Sequence, residues 1–117
     1  MGHVAMIVRK PPYGDINAAE AVRHAMGAAS GDWKVSLILV DGGVLLARVG
    51  QDDTGTGFTN LGEALKDCAE MDIDVYADSL SMIERSVKTE DIVSGVKVIN
   101  GADIASILKG ADQTLLF

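Results

Sequence analysis

The chain carries one thiol, Cys68, among its 117 residues. A lone cysteine can form neither an internal disulfide nor a cysteine-rich zinc site, so Cys68 is either a nucleophile or a packed side chain. Leu61, Ala64, Leu65, Cys68 and Ala69 recur at the spacing of one helix face, which places the thiol on the buried side of a helix. It falls near that helix's C-terminus, close to Asp67, Glu70 and Asp72. Burial, the negative end of the helix dipole and like charge all raise a thiol's pKa. Cys68 is therefore expected to be an inert core residue. A sulfur carrier acting through Cys68 is the competing reading.

The remaining polar candidates follow apolar runs, where open parallel sheets gather ligands outside the carboxyl ends of their strands. Three such junctions occur: Pro11 to Asp15, which includes Tyr13; Asp41-Gly42-Gly43; and Asp78 to Ser81. Asp78 can serve as a helix N-cap or orient a group in a partner's site. Arg85, seven residues on, reads as a solvated helix-end cation or as an interface contact. Gly55-x-Gly57 lacks the full phosphate-binding fingerprint and its lysine, so the Gly50 to Gly57 segment reads as a loop. Asp52-Asp53 lacks calcium-loop spacing, and Asp67, Glu70, Asp72 and Asp74 read as a solvated acidic face. His3 and His24 stand far apart with no ligands beside them. No metal site and no cofactor are expected.

The elements that must position these residues alternate. Val4 to Val8 is an apolar strand, and residues 15 to 30 form a helix with Ala18, Ala21, Val22, Ala25, Met26 and Ala29 on one face, stopped by Gly31-Asp32. Val35 to Val40 is a second strand. After the Asp41 turn comes Val44-Leu45-Leu46, which is either a subunit-packing segment or a core turn. Asn60 and Glu63 have the spacing of a capping box for a helix to Glu70. Ile73 to Ala77 is a third strand, Asp78 to Arg85 a short helix, and Val96 to Ile99 a fourth strand. A last helix opens at Asn100 or Gly101 and closes at Gly110, and Thr114 to Phe117 is a fifth strand. Such alternation predicts one α/β domain over residues 1–117: three α/β/α layers around a mostly parallel, doubly wound sheet.

Composition agrees. Hydrophobic residues make up 48% of the chain, enough for a packed core at this length. A formal charge of −7 and a pI near 4.6 argue against direct nucleic-acid binding. The first apolar run meets Arg9 and Lys10 too soon for a signal peptide or a membrane span. One cysteine suits a reducing compartment, so a cytoplasmic location without membrane contact is expected.

The segment Val75-Tyr76-Ala77-Asp78-Ser79-Leu80-Ser81-Met82-Ile83-Glu84-Arg85 resembles a pattern of the DsrE/DsrF-like sulfur-relay family: strand, reactive cysteine, Ser-Leu pair, Arg-Gly. Ser81-Met82 stands for the Ser-Leu pair and Arg85-Ser86 for the Arg-Gly. The likeness extends along the chain through Pro12-Tyr13-Gly14, Asp41-Gly42 with Val44-Leu45-Leu46, and the C-terminal Ala111-Asp112-Gln113-Thr114-Leu115-Leu116-Phe117, and is nearest to the DsrF/TusC branch. The resemblance implies a five-stranded doubly wound sheet and assembly with DsrE/TusD-like and DsrH/TusB-like partners, or with copies of itself. It also implies a cysteine at position 78 in sulfur-carrying members. Asp78 stands there, and a carboxylate cannot hold persulfide sulfur. The expected function is that of a non-catalytic accessory subunit of a sulfurtransferase complex, shaping a partner's thiol site through Asp41, Asp78 and Ser81 and packing through Val44 to Leu46. A homo-oligomeric carrier using Cys68 and a small-molecule-binding flavodoxin-like module are the alternatives.

Overall fold

The computed structural model describes residues 2–12, 16–49 and 61–117. Tyr13, the Gly50 to Gly57 loop and the Asn60 half of the expected capping box lie outside them. The described chain runs β1 (His3–Val8), α1 (Asn17–Ser30), β2 (Lys34–Leu39), a 3-10 coil (Asp41–Ala47), α2 (Leu61–Glu70), β3 (Asp74–Asp78), α3 (Ser79–Glu84), a 3-10 turn (Thr89–Asp91), β4 (Val96–Ile99), α4 (Gly101–Gly110) and β5 (Gln113–Leu116).

All five strands pair in parallel, in the order β4-β3-β2-β1-β5. The first three crossovers step the same way along the sheet and, being right-handed, lay α1, α2 and α3 on one face; the reversed step from β4 to β5 lays α4 on the other. This is the three-layer, doubly wound architecture expected.

Register explains the core. Val4, Met6 and Val8 pair beside Val35, Leu37 and Leu39, and Leu37 and Leu39 beside Val75 and Ala77. These eight side chains share one face and join Ala18, Ala21, Val22 and Ala25 of α1 with Leu65 and Cys68 of α2 in a single buried cluster. The α4 face carries the alternate set, in which Ala5 and Ile38 are buried and His3 Nε2 lies 2.8 Å from the hydroxyl of buried Ser36. β2 is central and buried along nearly its whole length, whereas edge strand β5 is exposed at every position. A parallel sheet with helices on both faces produces this contrast.

Three helices end alike. Asp32, Asp72 and Ser86 adopt left-handed φ values of 67°, 64° and 56° after α1, α2 and α3. The following N–H groups of Trp33, Ile73 and Val87 then donate back to Ala28, Cys68 and Met82 at 3.1, 3.1 and 2.8 Å. This reversal satisfies carbonyls that a helix end leaves open, here without the usual glycine. α4 begins on a reciprocal capping box: Asp103 N–H donates to Asn100 Oδ1 at 2.9 Å, and Asn100 N–H to Asp103 Oδ2 at 3.3 Å.

Candidate functional site at the carboxyl ends of the strands

The loops after β3 and β4 leave the sheet toward opposite faces, so the topological switch point lies between these strands, where Asp78 pairs in register with Ile99. Asp78 is both the last residue of β3 and the N-cap of α3. Its Oδ2 accepts the Ser81 N–H at 3.2 Å and the Ser81 hydroxyl at 2.6 Å. Ser81 Oγ in turn accepts the Asp41 backbone N–H at 2.9 Å. A continuous relay therefore ties the end of β2 to the end of β3: Asp41 N–H to Ser81 O–H to Asp78 carboxylate. Ser81 is only 3% exposed, so its hydroxyl is committed to these two partners. Three of the residues expected from the sequence, Asp41, Asp78 and Ser81, are thus brought together.

The 3-10 coil positions Asp41. Asp41 itself takes a left-handed φ of 48°, and its side chain is exposed. A Cβ on Gly43 would sit 2.1 Å from the Val8 carbonyl oxygen, and one on Gly42 would lie 3.0 Å from Pro11 Cδ and 3.2 Å from the Arg9 carbonyl oxygen. Only glycine lets the coil press this closely against the end of β1. Gly42 is accordingly buried.

Beyond these glycines the coil plunges inward. Val44 and Leu46 are wholly buried in the chain's own core, and Leu45 packs against it while keeping some surface. Burying such side chains contributes roughly 1.5–3 kcal/mol each. Of the two roles open to this segment, Val44 and Leu46 take the core turn within this chain, and Leu45 keeps part of its surface. The spacing of three adjacent apolar residues could not distinguish these roles, because a 3-10 coil turns about a third of a circle per residue. Arg85 caps α3 at its C-terminal end, its N–H donating to the Ser81 carbonyl at 3.0 Å, and is exposed.

Cys68 lies apart from this junction. Its side chain is fully buried in the cluster beneath α2, and desolvation, reinforced by the charge of Asp67, pushes its thiol pKa up to about 11. At neutral pH a thiol so placed is protonated and inert. Among the described residues no three His, Cys, Asp or Glu side chains are grouped to hold a metal ion. The two histidines serve locally: His3 on Ser36, and His24 Nδ1 donating to the Glu20 carbonyl at 2.7 Å. No helix among the described residues is long and apolar enough to cross a membrane.

The sequence placed Gly43 only in a turn and Asn100 only at a helix start; the structure adds that Gly43 lies against Val8 and that Asn100 caps α4 with Asp103.

Against known proteins, residues 2–117 match the DsrE/DsrF-like family. An uncharacterised protein of Methanopyrus kandleri, MK0008, is 27% identical, covering 97% of this chain and 93% of that protein. The intracellular sulfur oxidation protein DsrF of Allochromatium vinosum is also 27% identical, covering 93% and 91%. Among solved structures, the YchN protein of E. coli superposes with a TM-score of 0.91 over the full length of both chains at 21% identity. MTH1491 of Methanobacterium thermoautotrophicum superposes with 0.74 at 12% identity, again over both full lengths. At these identities the two structures speak for the fold.

Proposed function

The chain belongs to the DsrE/DsrF-like family, and on that premise we propose that it is a non-catalytic accessory subunit of an intracellular sulfur-relay complex. The observation that carries this reading is the occupant of the switch point. The strand-to-helix junction with its convergent donors holds Asp78, whose Oδ2 accepts two bonds from Ser81, while the only thiol in the sequence is sealed in the core. A carboxylate can orient and hydrogen-bond a neighbouring group but cannot carry sulfane sulfur. Asp78 and Asp41 thus act toward a partner's persulfide, with Ser81 holding both in place. The likeness to DsrF, named for intracellular sulfur oxidation, supports the same setting. The partners are DsrE/TusD-like and DsrH/TusB-like subunits, and the compartment is the cytoplasm.

The test has two arms. Co-expression with a DsrE/TusD-like subunit should yield a complex of defined mass in solution. Treatment of the isolated chain with a persulfide donor should leave its intact mass unchanged. A chain that stays monomeric beside such partners, or that gains the mass of a sulfur atom on Cys68, overturns the assignment.

A further inference from the structure

At the amino ends of the strands, opposite the Asp78 junction, α1 and edge strand β5 leave a cavity of about 650 Å³ between them. Small-molecule sites fall in the range of about 300–1,000 Å³. Its floor is Val4 and Met6, which are 5% and 2% exposed; Leu115 and Trp33 flank it, and Arg23 stands at its open side.

Gly27, an exposed residue, borders this space. This glycine lines the cavity in the interior of a fourteen-residue helix, and a Cβ built on it would meet nothing within 4 Å. An interior helix glycine is destabilising relative to alanine. No positive φ and no close backbone approach accounts for it here. A longer side chain at this position would extend into open space bordering the cavity.

We infer that this cavity binds a small amphiphilic organic anion, with an apolar body against Val4, Met6, Trp33 and Leu115 and its acid group at Arg23. Arg23 meets Glu20 through Nη2 in a pair whose side chains are 71% and 37% exposed. A guanidinium carries five N–H donors, and such surface pairs contribute little, so a ligand's acid group can share this cation. His24 is otherwise engaged, by the Glu20 carbonyl and by the Phe117 ring at 5.6 Å. The site shares no residue with the Asp78 junction and does not depend on the sulfur-relay assignment.

Trp33 is the only tryptophan in the sequence, so its fluorescence reports the site directly. Titrating the full chain with anilinonaphthalene sulfonate should quench Trp33 saturably, one probe per chain. Gly27→Leu should bind at least about tenfold more weakly, a loss of about 1.4 kcal/mol, with an unchanged circular dichroism spectrum and no lower thermal midpoint; Gly27→Ala gives a smaller plug with the same direction. Arg23→Gln should weaken the sulfonate and leave uncharged N-phenylnaphthylamine unaffected. Quenching that does not saturate, that follows protein rather than probe concentration, or that survives both Gly27 substitutions overturns the site. Equal losses for the two probes in Arg23→Gln overturn the anion preference.

Discussion

At the β3–α3 junction two donors of Ser81 converge on Asp78, and the atom that receives them is an oxygen. Ten residues earlier in the chain, the sulfur of Cys68 is packed among Leu65, Val75 and other apolar side chains of the core. Acceptor geometry and thiol are both present in this protein, in different places. The difference teaches that nucleophilicity belongs to an environment: convergent donors stabilise an anion and desolvation suppresses one. Moving the thiol should therefore matter more than the number of thiols.

The largest expected effect follows directly. In a Cys68→Ala background, Asp78→Cys should react with iodoacetamide at neutral pH at least about a hundredfold faster than native Cys68, since an ordinary thiol near pKa 8.5 is already some few hundredfold more ionised than one near 11. Stopped-flow or mass-resolved alkylation measures the ratio; comparable rates would erase the contrast between the two regions.

Proton linkage gives a second test. The folded Cys68 pKa of about 11 lies above the ordinary thiol value, so the unfolded chain releases its proton first as pH rises. Its contribution is intact below the unfolded pKa, near 8.5–9, and is lost as pH climbs through about 11, a swing of about 3 kcal/mol. Urea unfolding of the native chain and of Cys68→Ala should diverge only across that window, with the native chain losing more.

At the junction, Ser81→Ala should cost about 1–3 kcal/mol, because it strips Asp41 N–H of its acceptor and Asp78 of one donor in a nearly closed site. Val at this position, which fills volume but restores no hydrogen bond, should not rescue it. The smallest effects are at the left-handed aspartates, one in each region. Asp41→Gly and Asp72→Gly should each raise stability by up to about 1 kcal/mol in thermal unfolding, since glycine takes their φ values of 48° and 64° without strain. Asp41→Gly keeps the backbone N–H that Ser81 accepts, so a loss of stability there would show that the Asp41 carboxylate, and not its amide, holds the junction together.

Much of the fold was legible locally. The Ala-rich stripe of α1, the stop at Gly31-Asp32 and the short apolar runs of the strands each depend on neighbours within a turn or two, and these elements formed within a residue or two of their expected limits. Cys68 was legible for the same reason, since its helical spacing from Leu65 and Ala64 already turned it inward. Asp78 as an N-cap needed only the three residues after it. The relay through Asp41 was not legible, because forty residues separate its two ends. Nor was the burial of Val44 and Leu46, which depends on how closely two glycines let the coil approach β1.

The sequence by itself determined which elements form, which faces are apolar, and that position 78 bears an acid while the one thiol lies on a helix's inner stripe; these follow from short-range periodicity and side-chain chemistry. Tertiary structure alone decided the strand order β4-β3-β2-β1-β5, and with it the switch point at Asp78, the meeting of Asp41 with Ser81, and the open space beneath Gly27. Each of these depends on which distant backbones lie side by side, and pairing across the sheet is set by how the whole apolar surface can be buried at once.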